Sequence, residues 1–140
     1  GRIYNMAAIK QDIKSRDDIK LLVDSFYNKV IQDAILGHLF TETFTIKWEK
    51  HLPRMYDFWE NVLFMSGSYS GNPMAVHTKL HHVSTLNKEQ FARWKKLWVL
   101  SVNKHFKGDI ADMAKKKATS IAAIMQFKLL NEFDPEFMKV

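Results

Sequence analysis

The chain has 140 residues, of which 46% are hydrophobic, 26% charged and 13% aromatic, a balance typical of one soluble globular domain long enough to bury a core. It has no cysteine, which excludes disulfides, thiolate metal sites and cysteine nucleophiles and favours a reducing compartment, the cytoplasm. No run of about 18 apolar residues is present, so the sequence predicts no membrane span.

The net charge of +6 raises the question of an anionic partner. The basic residues are spread along the chain, and the only tight run is Lys115-Lys116-Lys117. This run has no aromatic residues between its lysines and no glycine-rich phosphate loop beside it. We therefore predict a solvated helix face there and no nucleic-acid partner.

The chain contains no strand pattern, internal repeat or low-complexity segment, and helical periodicity dominates it. We predict an all-α domain at residues 13–133, preceded by an N-terminal tail at 1–12 and followed by a C-terminal tail at 134–140. The pair Asp134-Pro135 ends the last helical pattern, since proline cannot continue a helix.

The first helix is predicted to begin after Ser15, which can accept a backbone hydrogen bond as an N-cap, with Asp18 in the capping-box position. Its apolar residues recur at spacings of three and four: Ile19, Leu22, Val23, Phe26, Tyr27, Val30 and Ile31. Tyr27 lies in the middle of this stripe. Its hydroxyl is therefore carried into the interior and needs a hydrogen-bond partner there.

After a break at Gly37 and a short turn anchored by Phe40, a second long helix is predicted at about residues 45–65, with its first turns loosened by Pro53. Its apolar stripe consists of Trp48, Leu52, Met55, Phe58, Trp59 and Val62. His51 falls inside that stripe, one helical turn from aromatic or apolar neighbours on either side. A histidine in such a position is more often a hydrogen-bonded core residue than a functional one.

Residues 71–80 predict a short helix, because a Gly-Asn breaker precedes Pro73 and proline is tolerated in the first helical turn. This segment buries little apolar surface and carries one histidine, His77. Imidazole is the commonest protein metal ligand and the usual axial ligand of haem. A lone histidine is more often structural, however, and His81 is a competing candidate.

Asn87 and Gln90 form a capping-box pattern that opens a further helix. The inner stripe of this helix consists of Phe91, Trp94, Leu97, Trp98 and Val102. Gly108 ends it, and Asp109 is predicted to cap the last helix. The apolar stripe of the last helix consists of Ile110, Met113, Ala114, Ala118, Ile121, Ala122, Met125 and Leu129.

Three inward polar side chains on different helices, Tyr27, His51 and Trp94, could therefore face one helix-borne histidine, His77. Haem iron held by a single histidine leaves its other face open to a diatomic ligand. The Tyr27 O–H and the Trp94 N–H could donate hydrogen bonds to that ligand in a dry site. The alternative is that both are core aromatic residues whose polar atoms bind backbone carbonyls.

An ordered set of motifs over about residues 13–130 resembles the truncated haemoglobins, specifically their third group. The motifs are Phe26-Tyr27-x-x-Val30, Leu36-Gly37-x-Leu39-Phe40, Trp48-x-x-His51-Leu52-Pro53-x-Met55-x-x-Phe58-Trp59, Tyr69-x-Gly71-x-Pro73-x-x-x-His77 and Phe91-x-x-Trp94. Each motif is weak alone, and their order makes the set specific. The third group lacks the glycine motifs of the other truncated groups, and this chain lacks them as well.

The resemblance implies a globin-like fold shortened to a two-over-two helical sandwich around haem b. It makes His77 the proximal iron ligand and places Tyr27, His51 and Trp94 on the distal side, where dioxygen, nitric oxide or carbon monoxide would bind. It further implies these cofactor contacts: Phe40, Trp48, Arg54, Met55, Phe58, Val76, Phe91 and Trp98. Arg54 would reach a haem propionate.

Three functions are compatible with this sequence. The preferred hypothesis is redox chemistry on the bound ligand, either nitric oxide dioxygenation or peroxide turnover, with electrons from a separate reductase. The second is a ligand carrier or sensor without turnover. The third, more remote, is a haem-free helical module that uses its basic surface to bind nucleic acid.

Overall fold

A computed structural model describes residues 9–43, 46–65 and 87–130 of the chain, with side chains described only as far as Met125. The described part is helical, as predicted: α1 at Arg16–Gln32, a π-helix at Leu39–Thr43, α2 at Trp48–Phe64, α3 at Lys88–His105 and α4 at Asp109–Leu130. It contains no strand and a single parallel bridge between Gln11 and Phe106. The predicted short helix with Val76 and His77 lies outside the described residues.

The beginning of α1 confirms the predicted cap, since Asp18 N–H donates to the Ser15 hydroxyl at 3.2 Å. The helix buries five apolar residues against the core: Ile19, Leu22, Val23, Phe26 and Val30. Ile31, which was predicted in the same stripe, is 38% exposed. Ile31 lies in the last turn of α1, which ends at Gln32, and Val30 is the last residue of this helix that is buried.

Helix α2 begins at Trp48, later than predicted, and its N-cap Lys47 makes no side-chain capping hydrogen bond. Pro53 lies inside the helix, where its missing N–H removes one backbone hydrogen bond in the first turns. The helix ends at Phe64, and Met65 takes a left-handed conformation (φ 55°) in which its N–H donates to the Asn61 carbonyl at 2.8 Å.

Helix α3 begins with the predicted capping box. Gln90 N–H donates to Asn87 Oδ1, and Asn87 N–H donates to Gln90 Oε1, both at 2.8 Å. The backbone N–H groups of Asn87 and Gln90 have no partner within the helix, and each is satisfied by the side chain of the other residue.

The cap of α4 differs from the prediction, because the capping carboxylate comes from Asp12 and Asp109 is itself the first helical residue. Asp12 accepts hydrogen bonds from the backbone N–H groups of Ile110 and Ala111 at 2.9 and 2.8 Å. Burial alone would raise the pKa of the Asp12 carboxyl, but these and neighbouring backbone N–H groups outweigh it and lower that pKa. Residues 9–12, assigned above to the tail, thus contact the helical domain.

Gly108 makes the approach of Asp12 possible. Its φ is +148°, and a Cβ at this position would lie 2.6 Å from Asp12 Cβ, well inside contact distance. Only glycine combines that backbone conformation with the space the carboxylate needs.

The four α-helices form a closed ring, in which α1 packs against α2 and α3, and α4 packs against α3 and α2. Alanines allow α4 to approach α3 closely: Ala111, Ala114, Ala118 and Ala122 are all buried. Met113, predicted in this stripe, is 37% exposed, because the buried face runs through the alanines. Lys116 and Lys117 are exposed on α4, as predicted. Among the described helices, none is long and apolar enough to cross a membrane.

A partly buried ion pair joins the end of α1 to α3. Arg93 Nε and Nη2 each lie 2.7 Å from Asp33 Oδ1, and the Asp33 side chain is 3% exposed. The other carboxylate oxygen accepts from the N–H groups of Ile35 and Leu36. Burial alone would raise the pKa of Asp33, but the hydrogen bonds from Arg93 and the backbone lower it.

We expect Asp12→Ala to lower the free energy of unfolding by about 1–2 kcal/mol, since it removes the cap of α4. The matched control Asp109→Ala removes only a favourable charge in the first helical turn and should cost about 0.5 kcal/mol. Urea unfolding followed by circular dichroism measures both. A larger loss in Asp109→Ala would show that the cap is the local residue after all.

A second prediction concerns acid stability. Because the folded pKa of Asp33 lies below its unfolded value of about 3.9, its stabilising contribution is present above that value and is lost as the pH falls through the folded pKa. We therefore expect Asp33→Asn to be less stable than the wild type by about 1–3 kcal/mol near neutral pH. The difference should shrink toward zero in strong acid. A difference that stays constant over the whole acid range in unfolding experiments would contradict this ion-pair account.

Candidate functional site

One apolar pocket lies where all four α-helices meet. Its walls are Phe26 and Tyr27 from α1, Met55, Phe58 and Trp59 from α2, Trp94 and Trp98 from α3, and Ile121 and Met125 from α4. The cavity volume is about 30 Å³, more than the roughly 10–15 Å³ that is needed to hold one water molecule. A diatomic molecule is of the same order of size, so the described walls enclose a ligand-sized space.

The Tyr27 hydroxyl and His51 Nε2 are 2.8 Å apart and form a hydrogen bond between α1 and α2. Helical periodicity in both segments produces this contact, since each residue falls within the apolar stripe of its own helix. Burial raises the pKa of the Tyr27 hydroxyl well above its usual range. The phenol therefore keeps its proton at neutral pH and can donate a hydrogen bond.

Which group donates in this pair depends on the tautomer of His51. If Nε2 carries the proton, His51 donates to the phenol oxygen, and the Tyr27 O–H is left to donate into the pocket. If Nδ1 carries the proton, Tyr27 donates to Nε2 and has no second proton to offer. His51 therefore determines whether Tyr27 can act as a donor toward a molecule in the pocket.

Aromatic rings hold the Tyr27–His51 pair in place. The Trp48 ring contacts both members edge-on, with centroids 5.3 Å from Tyr27 and 5.7 Å from His51. Phe40 from the π-helix contacts Tyr27 at 6.1 Å, and Phe26 lies on its other side at 5.0 Å. These edge-to-face contacts fix the ring of Tyr27, because each ring presents its positive edge to a neighbour's negative face.

The same two helices are also joined on their outer side. The Tyr56 hydroxyl donates to Asp24, and burial together with that carboxylate raises the pKa of Tyr56 to about 12. Arg16 pairs with Asp57 at 2.8 Å and with Glu60 at 3.2 Å. Because Arg16 is 38% exposed, the pairs themselves add little stability. They nevertheless limit sliding of α1 along α2, which would separate Tyr27 from His51.

The two tryptophans of α3 that line the pocket differ in their polar atoms. The Trp98 indole N–H donates to the Ala114 carbonyl at 3.1 Å, and its ring stacks on Trp59 with centroids 4.2 Å apart. Within the described part of the chain, the indole N–H of Trp94 makes no hydrogen bond, and its ring contacts Phe26 edge-on at 5.9 Å. The Trp98 N–H is therefore satisfied by the backbone. For Tyr27 and Trp94, to which the backbone-satisfied alternative applied, the described residues show a hydrogen bond between Tyr27 and His51 and none to a carbonyl from Trp94.

The other predicted cofactor contacts are divided among different locations. Met55 and Phe58 line the pocket. Phe91 is buried beside Met125 and Ile121 and is not part of the pocket wall. Arg54 is exposed on α2. The roles assigned to these residues stay predictions, as do those of Val76 and His77 in the segment outside the described residues.

Sequence reasoning missed the contribution of α4 to this site. Ile121 and Met125 were identified only as members of an apolar stripe, yet both line the pocket. Their spacing of four places them on one face of the helix. That pattern shows that they are inward-facing but not which cavity they line, because it contains no information on how the helices cross.

The chemical character of the described walls fits the haem that the family resemblance implies. They are apolar and largely aromatic, as a porphyrin ring requires, and they present a protonated phenol and an indole N–H without a partner in the described part. The same residues, 9–43, 46–65 and 87–130, contain no group of three or more His, Asp or Glu side chains that could hold a bare metal ion. A haem ring needs more space than the described walls leave. Its predicted ligand, His77, is not among the described residues.

No protein-family model matches the chain. The Group 3 truncated hemoglobin ctb of Campylobacter jejuni is 28% identical over 121 residues, covering 84% of this chain and 93% of the relative. A crystal structure of group III truncated hemoglobin from Campylobacter jejuni matches with a TM-score of 0.73 and 28% identity, covering 85% of this chain and 94% of that one. The likeness therefore extends over nearly the whole of both proteins.

Proposed function

The chain resembles the group III truncated haemoglobins in sequence and in its shortened globin fold, as its motifs predict, and we propose that it performs redox chemistry on a diatomic ligand bound to haem b. The observation that carries the proposal is the pocket itself, whose otherwise apolar walls include Tyr27 and Trp94. The Tyr27 hydroxyl is a donor to the pocket when His51 Nε2 carries the proton, and the Trp94 N–H has no hydrogen-bond partner among the described residues. Two such donors favour retention of a polar ligand over its rapid delivery. Retention is useful to an enzyme and a disadvantage to an oxygen carrier.

When bound, haem supplies an iron atom that can take a diatomic ligand and exchange electrons. His77 would hold that iron from the proximal side. Tyr27 and Trp94 would orient and stabilise the ligand on the distal side, while the surrounding aromatic rings exclude water and so strengthen both hydrogen bonds. His51 would set the direction of the Tyr27 hydroxyl through the 2.8 Å hydrogen bond between them.

Nitric oxide dioxygenation is one reaction that such a site supports. Nitric oxide, dioxygen and one electron together give nitrate, so each turnover needs one electron from a reductase. Peroxide turnover is the other candidate and likewise needs a reductant. In both reactions the contribution of the described residues is the same: they hold the substrate and keep the site dry.

The proposal is tested by the rate of dioxygen release from the reduced protein in stopped-flow experiments. Slow release, together with nitric oxide consumption or peroxide turnover sustained by a chemical reductant, is the expected result. Release as fast as that of a storage globin, without turnover, would reject the redox proposal and favour a carrier or sensor.

Three matched substitutions separate the donors. Tyr27→Phe and Trp94→Phe each remove one donor and should speed dioxygen release by about tenfold to a hundredfold, corresponding to a hydrogen bond worth roughly 1.5–3 kcal/mol. Trp98→Phe removes an N–H that already binds the Ala114 carbonyl. It should lower thermal stability with little change in the release rate. A release rate that responds equally to Trp94→Phe and Trp98→Phe would show that Trp94 acts only by packing.

The proximal assignment has its own test. His77→Ala should fail to retain haem, because the imidazole is the expected bond between the iron and the protein. His81→Ala, the matched control four residues on, should retain it. Haem content after gel filtration measures both variants. If His81→Ala loses haem and His77→Ala keeps it, His81 is the ligand.

A further inference from the structure

A basic cleft lies away from the aromatic pocket, between the N-terminal arm (residues 9–14) and the end of α3. Its volume is about 670 Å³, within the range of about 300–1,000 Å³ that is typical of small-molecule sites. The residues that line it are Ile9, Lys10, Gln11, Asp12, Lys14, Asp18, Lys104, His105 and Phe106. Nothing in the proposed haem chemistry uses this cleft.

The lysines in and beside the cleft are hydrogen-bonded to neutral groups. Lys10 Nζ donates to the Asn103 carbonyl, Lys14 Nζ donates to the side-chain oxygen of Gln11, and Lys29 Nζ donates to the Ser25 hydroxyl. In the described part of the chain, no carboxylate forms an ion pair with Lys10, Lys14, Lys29 or Lys104.

The carboxylates of both cleft aspartates accept hydrogen bonds from backbone N–H groups. Asp12 accepts from the N–H groups that begin α4, and Asp18 accepts from the Lys14 N–H at 2.8 Å. These carboxylates are held by backbone donors and form no ion pair with the cleft lysines, so they offset only part of the repulsion among Lys10, Lys14 and Lys104. A bound anion would relieve that repulsion.

His105 lies at the centre of this arrangement. Its Nε2 is 3.1 Å from the Ser25 hydroxyl, which also accepts from Lys29. Burial lowers the pKa of His105, and the charges of Lys104, Lys29 and Lys10 lower it further. The charged groups that surround it come from the arm (Lys10, Asp12, Lys14), from α1 (Asp18, Lys29) and from α3 (Lys104).

We propose that this cleft binds a small multivalent oxyanion, such as a phosphate or polycarboxylate compound, and that His105 takes up a proton when the anion binds. The concave shape and volume favour a small molecule over an acidic protein, whose stable docking would bury more than about 1,000 Å² of surface. Lysines from the N-terminal arm and from α3 line the cleft and supply the charge complementarity, and Lys29 of α1 lies beside it. Burial and the neighbouring lysines lower the pKa of His105, and the bound anion offsets the contribution of the lysines.

Proton uptake gives the proposal a specific pH dependence. Because the anion raises the pKa of His105, the protonated protein binds it more tightly, and the affinity rises as the pH falls through the bound-state pKa. A rise of about one pKa unit corresponds to an affinity gain of about tenfold, which begins as the pH falls through the bound-state pKa and is complete only below the lowered pKa of His105 in the unbound protein. The anion does not need haem for this binding, so the proposal stands apart from the redox function.

Inorganic pyrophosphate is the probe, titrated at constant ionic strength into the full-length protein, reduced and saturated with carbon monoxide, while NMR follows the His105 ring. We expect saturable binding, a higher titration midpoint for His105 and tighter binding at lower pH. Citrate in a parallel titration distinguishes a polycarboxylate site from a phosphate-selective one. An unchanged His105 titration, or binding of an oligoglutamate peptide without binding of pyrophosphate, would overturn the proposal.

Exposed residues provide matched variants that leave the core intact. Lys104→Gln should weaken pyrophosphate binding by about threefold to tenfold, and Lys116→Gln, on the exposed face of α4, should leave it unchanged. His105→Gln should keep the binding and lose the rise in affinity at lower pH, leaving only the pH dependence that comes from protonation of pyrophosphate itself. Equal weakening by Lys104→Gln and Lys116→Gln would mean that the anion only screens the overall positive charge. That result would contradict a specific anion-binding site in the cleft.

Discussion

The hydrogen bond between the Tyr27 hydroxyl and His51 Nε2 is the contact on which the candidate site depends. It joins α1 to α2 at the aromatic wall of the pocket, where a polar atom without a partner is costly. Each residue therefore limits what the other can do. The tautomer of His51 decides whether Tyr27 has a proton to offer, and the raised pKa of Tyr27 keeps that proton in place.

Further contacts between the helices hold this pair in register. The Asp33–Arg93 ion pair joins the end of α1 to α3, and Trp98 binds the Ala114 carbonyl where small side chains let α4 approach. Asp12 fixes the beginning of α4 and brings the N-terminal arm onto the domain. The four described α-helices form a closed ring through these contacts. Because the ring is closed, the apolar stripes of the four helices face one another and line one pocket.

Local patterns in the sequence were sufficient to predict the helices and several of their caps. Ser15 and the Asn87–Gln90 box were correct because capping depends on residues three positions apart. Periodicity likewise placed Tyr27 and His51 on inner faces. The resemblance to group III truncated haemoglobins, confirmed by the comparisons, then gave these residues a common site.

Contacts between distant parts of the chain were beyond such reasoning. Asp12 caps a helix that begins almost a hundred positions later, and the local candidate Asp109 was wrong for that reason. Ile31 and Met113 were assigned to buried faces although α1 and α4 bury narrower ones. The π-helix at Leu39–Thr43 was predicted only as a turn, since nothing local distinguishes its hydrogen bonding from that of other short helices.

The central claim is that the aromatic pocket belongs to a haem site open to diatomic ligands. The visible absorption spectrum of the purified protein, recorded in the ferric state and again after reduction under carbon monoxide, tests it most directly. A Soret band that shifts sharply when carbon monoxide is added is the predicted result. A flat visible spectrum that persists after haem is supplied would contradict the account and direct attention to the basic surface.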